Sequence, residues 1–175
     1  MSGTTPLGAV VRGVVAGTVA TLAMDTLLYV RYKRGGGKDT FLAWEFSADV
    51  KDWADAPAPA QVGRRLFEGL LQKKIPDKYA ALVNNITHWG FGIAAAAQYG
   101  LLAGSIPRPK VRYGLPFGAG VWATGYVVLP AAGLYKPIWE YDRVMLAKDL
   151  SAHLLYGATT AATFAALLPR AARSS

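Results

Sequence analysis

The chain has 175 residues, of which 53% are hydrophobic and 17% charged, with a net charge of +8 and no cysteine. That length suits one domain, and the missing thiol excludes disulfides, thiolate zinc sites, iron–sulfur clusters and cysteine nucleophiles. Long apolar runs almost free of charge alternate with short, strongly charged segments, which is the pattern of a membrane protein. The cations flank the apolar runs, where lipid headgroups would meet them, so the basic balance is no sign of nucleic-acid binding.

The first apolar run, Leu7 to Val30, stops at Arg31-Tyr32-Lys33-Arg34 and reads as a retained anchor rather than a cleaved leader. It predicts a helix over about 7–32. Within it Gly13, Gly17, Thr21 and Asp25 recur every four residues, which on a helix makes one stripe of small residues ending in a carboxylate. An ionisable group inside a span is costly and should face protein or water.

Gly35-Gly36-Gly37 breaks the helix and opens an extramembrane loop over about 33–76. There Phe41, Trp44, Phe46, Ala48, Val50 and Trp53 are mixed with Glu45, Asp49, Lys51 and Asp52. The mixture predicts a short amphipathic piece with its tryptophans at headgroup level. Ala56-Pro57-Ala58-Pro59 reads as a stiff spacer. Val62, Leu66, Phe67, Leu70 and Leu71, set against Arg64, Arg65, Glu68, Lys73 and Lys74, predict a second amphipathic helix.

Three further apolar helices are expected over about 77–103, 113–135 and 149–168. A basic turn holding Arg108, Lys110 and Arg112 separates the first two, and the segment 136–148 the last two. Each carries its own stripe at intervals of four: His88, Gly92, Ala96 and Gly100; Gly114, Gly118, Trp122 and Tyr126; Asp149, His153, Gly157 and Ala161. Gly13, Gly17, Gly92, Gly118 and Gly157 are the expected packing positions, since helices in lipid associate by close approach of small residues. The fold class is thus an all-α membrane protein with four transmembrane helices in an antiparallel bundle. The basic residues divide unevenly between its two faces, with the larger number beside the long loop, which favours that face as cytoplasmic.

Antiparallel connectivity brings the chain's two histidines, His88 and His153, to a depth similar to that of Asp25. Asn84, Asn85, Tyr126 and Tyr156 are in reach, and Glu140 and Asp149 lie just above. Three chemistries fit this set. One is a polar clasp that fixes the packing of the bundle. Another is a proton-responsive site, because histidine titrates near neutral pH. The third is a ligand site, in which His88, His153 and Asp25 hold a divalent metal or the two imidazoles ligate a haem iron. In that last case Gly92 and Gly157 leave room for the macrocycle. No HExxH spacing, Walker loop, nucleotide glycine fingerprint or GxSxG elbow is present. Trp122 and Tyr126 read as packing residues, and Gly13xxxGly17 as a helix contact within the bundle or between copies.

From Asn84 to Leu168 the chain resembles the YagU-type family of small bacterial inner-membrane proteins. The likeness rests on Asn85-Ile86-Thr87-His88-Trp89-Gly90, Tyr99-Gly100, Gly118-Ala119-Gly120-Val121-Trp122 and Leu129-Pro130-Ala131-Ala132-Gly133-Leu134. It continues in Pro137-Ile138-Trp139-Glu140 and in His153 with Tyr156-Gly157. The resemblance implies an association with acid resistance and termini inside, against the charge count. It assigns no reaction to His88, His153 or the Trp139-Glu140 pair. Sequence and resemblance together give the expectation of a non-enzymatic, multi-pass inner-membrane protein with a structural, partner-binding or acid-stress role. Its partners would be the bilayer and another membrane protein or a second copy. The alternatives are a haem- or metal-binding subunit and a proton or small-solute pathway.

Overall fold

The computed structural model describes residues 5–47, 50–54, 56–106 and 109–169. Asp49, Arg108 and the basic tail that begins at Arg170 lie outside them. Six α-helices follow in order: α1 Pro6–Arg34, α2 Phe41–Glu45, α3 Ala58–Leu71, α4 Ala80–Gly104, α5 Gly114–Ala131 and α6 Arg143–Ala166. Among the described residues there is no strand.

Local signals set the ends. Thr5 caps α1 by accepting from the Gly8 N–H at 3.1 Å, and Pro6 supplies a preset φ in the first turn. The helix runs to Arg34, where Gly35 and the positive φ of Gly36 (93°) turn the chain away. Two expected boundaries move. The fourth long helix begins at Arg143 rather than near Asp149, because the Asp142 carboxylate accepts from the Val144 and Met145 N–H groups at 2.9 and 3.0 Å. The third ends at Ala131 rather than Tyr135, at Pro130 and the left-handed Gly133 (φ 67°). The second half of the expected spacer, Ala58-Pro59, is instead the start of α3, with proline in its first turn.

The stripes at intervals of four meet one another in two seams. In the first, α1 runs antiparallel to α4. A Cβ on Gly13 would fall 2.6 Å from the Ala96 carbonyl oxygen, and one on Gly17 2.7 Å from the Ala96 Cβ. Farther along, one on Gly92 would fall 2.5 Å from Thr21 Oγ1, and the seam closes on Asp25 and His88. In the second, α5 runs antiparallel to α6. A Cβ on Gly157 would lie 2.6 Å from the Gly118 nitrogen, one on Gly114 would meet the Gly157 carbonyl, and one on Gly118 the His153 carbonyl. Backbones this close require glycine on at least one side of each contact. Gly13 and Gly17 are therefore spent inside the bundle.

The seams join where α1 packs on α6. Arg12 donates to the Leu167 carbonyl at 3.0 Å at one end, and Arg31 to the Lys148 carbonyl at 2.7 Å and Ser151 Oγ at 2.8 Å at the other. Between them Ala16, Ala20, Ala161, Tyr156 and Phe164 are buried. The long helices thus stand in the order α4, α1, α6, α5, and a cleft opens between the two outermost.

The loop folds over one end. Tyr29, Tyr32, Phe41 and Trp44 stack with centroids 5.2–6.4 Å apart and seat α2 on the end of α1. Helix α3 packs on α4 through Ala60 and Gly63, while Trp53 donates to the Ile75 carbonyl at 2.9 Å beneath Arg64. Arg65 reaches the Ala132 carbonyl at the end of α5, so α3 bridges the mouth of the cleft. Of the apolar face expected for α3, Val62 and Phe67 turn inward, whereas Leu66, Leu70 and Leu71 are exposed. The small residues Ala60 and Gly63 allow closer approach to α4 than leucines would.

One helix among the described residues, Pro6–Arg34, is long and apolar enough to cross a bilayer.

Candidate functional site: two histidine–carboxylate pairs beside a cleft

The expected single centre is two. At the end of the α1–α4 seam, His88 Nε2 lies 2.9 Å from Asp25 Oδ1 and 3.2 Å from Oδ2, and Asp25 is 3% exposed. His153 does not join them. Its Nδ1 lies 3.0 Å from the Asp149 carbonyl and 3.4 Å from Asp149 Oδ1, a pairing within α6 one turn apart. Tyr126 on α5 donates to the other Asp149 oxygen at 2.9 Å, so the second pair ties α5 to α6 as the first ties α1 to α4.

Three other expected members behave differently. Asn84 is buried but donates to Ser47 Oγ at 2.8 Å, pinning the loop rather than the histidines. Asn85 returns to its own helix, donating to the Ala81 carbonyl at 2.8 Å. Glu140 is exposed on a short turn. The space expected for a macrocycle is filled. Gly157 lies against the α5 backbone, and Gly92 lies under Thr21 while its carbonyl accepts from Tyr156 at 2.5 Å. No group of three or more His, Cys, Asp or Glu among the described residues is placed to hold a metal ion.

Glu45, at the end of α2, was not expected here. It accepts from the Trp89 indole N–H at 2.8 Å, which brings it to the outer side of the Asp25–His88 pair. Its carboxyl is raised above the ordinary range, first by burial and next by the negative charge of Asp25, while Trp89 and His88 pull it down. The fold therefore favours the protonated acid. That contribution is present below the ordinary glutamate value and is lost as pH rises through the raised one. Glu45→Gln stays neutral and still accepts from Trp89. The variant should unfold at a higher temperature than wild type near neutral pH, with the difference vanishing toward acid; thermal unfolding across pH in detergent measures it. A difference that does not change with pH would remove Glu45 from the cluster.

Both imidazoles line the cleft, a volume of about 360 Å³ whose walls come from α4, α5, α6 and α1, under α3. Phe91, Val121, Val128 and Leu129 make much of its surface apolar. Two further wall residues carry polar atoms that are buried without a hydrogen-bond partner among the described residues: Thr21 Oγ1, and Trp122 Nε1 beside Asp149. Their residue types gave no reason to separate them from packing.

These features define a class: an all-helical protein built on two glycine–alanine seams, each closed by a histidine–carboxylate pair at the edge of a common cleft. Residues 68–162, just over half of the chain, match a family model described as "Protein of unknown function (DUF1440)", and the chain belongs to that family. The match covers His88, Trp122, Asp149 and His153 but not α1, so the carboxylate facing His88 comes from outside it. No curated protein and no solved structure matches the chain.

Proposed function

We propose that this is a non-enzymatic, multi-pass inner-membrane protein in which α1, α4, α5 and α6 all cross the bilayer, and that it serves acid tolerance of the envelope through the Asp25–His88 pair. The observation that carries the reading is the inverted distribution of size. Apart from a few large side chains such as Tyr99, Tyr156 and Phe164, the interior of the long helices is mostly alanine, glycine and threonine, whereas most of their valine, leucine and isoleucine faces outward. Leu7 is 74% exposed, Leu102 69% and Val127 70%, each on a different helix. A water-soluble bundle would bury these side chains, each worth about 1.5–3 kcal/mol; in lipid they are already in apolar surroundings. The core helix of a soluble protein would be mostly buried, yet only 33% of the most apolar window of α1 is.

The other three helices fit the same surroundings. From Ala80 to Gly104, from Gly114 to Ala131 and from Leu150 to Ala166 there is no Asp, Glu, Lys or Arg. Even the shortest, the 18-residue α5, is roughly 27 Å long at 1.5 Å per residue, close to a bilayer core of about 30 Å. The exposed Trp139, Phe46 and Leu42 all belong to the end where the loop lies, at the depth of headgroups. The resemblance to the YagU-type family supplies the association with acid, and a histidine–carboxylate bridge between two spans supplies an element that proton uptake would change.

Because the chain has no cysteine, single substitutions report topology directly. Lys38→Cys, Lys74→Cys and Lys136→Cys should label from one side of intact membranes with an impermeant maleimide, and Lys110→Cys from the other. If α1 alone crosses, all four label from the same side and the four-span reading fails. The acid role is tested in cells carrying only Asp25→Asn, which should survive an acid challenge less well than wild type; equal survival overturns it.

A further inference from the structure

The cleft between α4 and α5 has the composition of a small-molecule site. Its volume of about 360 Å³ falls in the range of ligand pockets, roughly 300–1,000 Å³, which are mostly apolar with a few polar groups. What those groups can recognise follows from the histidine tautomers. His88 faces both Asp25 oxygens with Nε2, and His153 faces the carbonyl and carboxylate of Asp149 with Nδ1. Every one of those partners is an acceptor, so each of those nitrogens must carry the proton. In the neutral ring the other nitrogen, Nδ1 of His88 and Nε2 of His153, is then a lone pair. Neither makes a hydrogen bond among the described residues, and both rings line the cleft.

We propose that the cleft binds a hydrophobic aromatic alcohol, a phenol or quinol, whose hydroxyl donates to these imidazole lone pairs. Its ring lies among Phe91, Val121, Trp122 and Leu129. The apolar walls and the two rings with spare acceptors select for a donor on a greasy ring, and select against a bare hydrocarbon or an ether of the same shape. Binding at the cleft does not depend on how many helices cross the bilayer, so it stands or falls separately from the acid role.

The test titrates 2-naphthol into the purified full chain in detergent, subtracting a blank with detergent alone, and compares it with naphthalene and 2-methoxynaphthalene. Saturable binding of 2-naphthol should exceed that of both others by about three- to tenfold, the worth of one or two net hydrogen bonds. Two variants place the contact. His88→Gln keeps a donor toward Asp25 in the place of Nε2, and His153→Asn keeps one toward Asp149 in the place of Nδ1; each deletes the other nitrogen. Both should keep the wild-type circular dichroism and melting behaviour and lose the preference for naphthol over its methyl ether. Equal binding of all three probes would reduce the cleft to a greasy groove. An undiminished preference in both variants would move the hydroxyl elsewhere, and the absence of saturable binding would remove the site.

Discussion

Gly157→Ala should be the most damaging single methyl in the protein. Its Cβ would meet the Gly114 carbonyl and would stand 2.6 Å from the Gly118 nitrogen and 2.7 Å from the Gly118 Cα. These are backbone atoms of the first two turns of α5, so no rotamer change relieves the overlap; α5 and α6 must move apart. Overpacking of this kind costs about 1–3 kcal/mol when side chains can yield, and rigid backbone puts this case at the top of that range. For a chain of this length that is roughly 6–12 °C in Tm. Separation of the two helices would also pull Tyr126 off Asp149, whose 2.9 Å bond depends on the same approach. The control is Gly120→Ala, on the same α5, where a Cβ meets nothing within 4 Å. That variant should be neutral or stabilised by up to about 1 kcal/mol, since alanine loses less backbone entropy in a helix. Thermal unfolding of the two variants side by side decides the matter: a Gly157→Ala protein that melts with wild type would mean the α5–α6 seam is not in backbone contact.

The seams were legible in the sequence because they depend on one number, the helical repeat. Residues four apart share a face, so Gly13, Gly17, Thr21 and Asp25 announce a narrow stripe without any knowledge of neighbours. What the spacing does not contain is which stripe meets which. Depth alone puts His153 with Asp25, yet Asp149, one turn away on the same helix, is already in the stripe. The local partner won: an i,i+4 contact needs no other helix to be in position, while His88 had no carboxylate on its own face and took Asp25 across the seam. Glu45 was harder to see. Its approach to Asp25 and His88 follows from where four aromatic rings seat a five-residue helix, a tertiary consequence that no periodicity encodes. The cleft has the same origin. It exists because α4 and α5 sit at opposite ends of a row, which is a property of the connections and not of any one helix.

Asp25→Ala should cost more than Asp25→Asn, and the difference isolates what the carboxylate does. Asp25 is 3% exposed, and its two oxygens share the single Nε2–H of His88. Asparagine keeps the volume and one acceptor, so it loses only the charge-assisted part of the bond. Interhelical polar contacts in membranes are worth about 0.6–2 kcal/mol, and Asp25→Asn should fall within that range at neutral pH. Alanine leaves the His88 donor with no acceptor and opens a void, which adds about 1–3 kcal/mol for the unpartnered buried group. A cycle of Asp25→Asn, His88→Phe and the double variant measures the pair itself: the double variant should cost less than the two singles together by more than the roughly 0.5 kcal/mol within which independent sites add. Strict additivity would mean that the two side chains merely lie near each other.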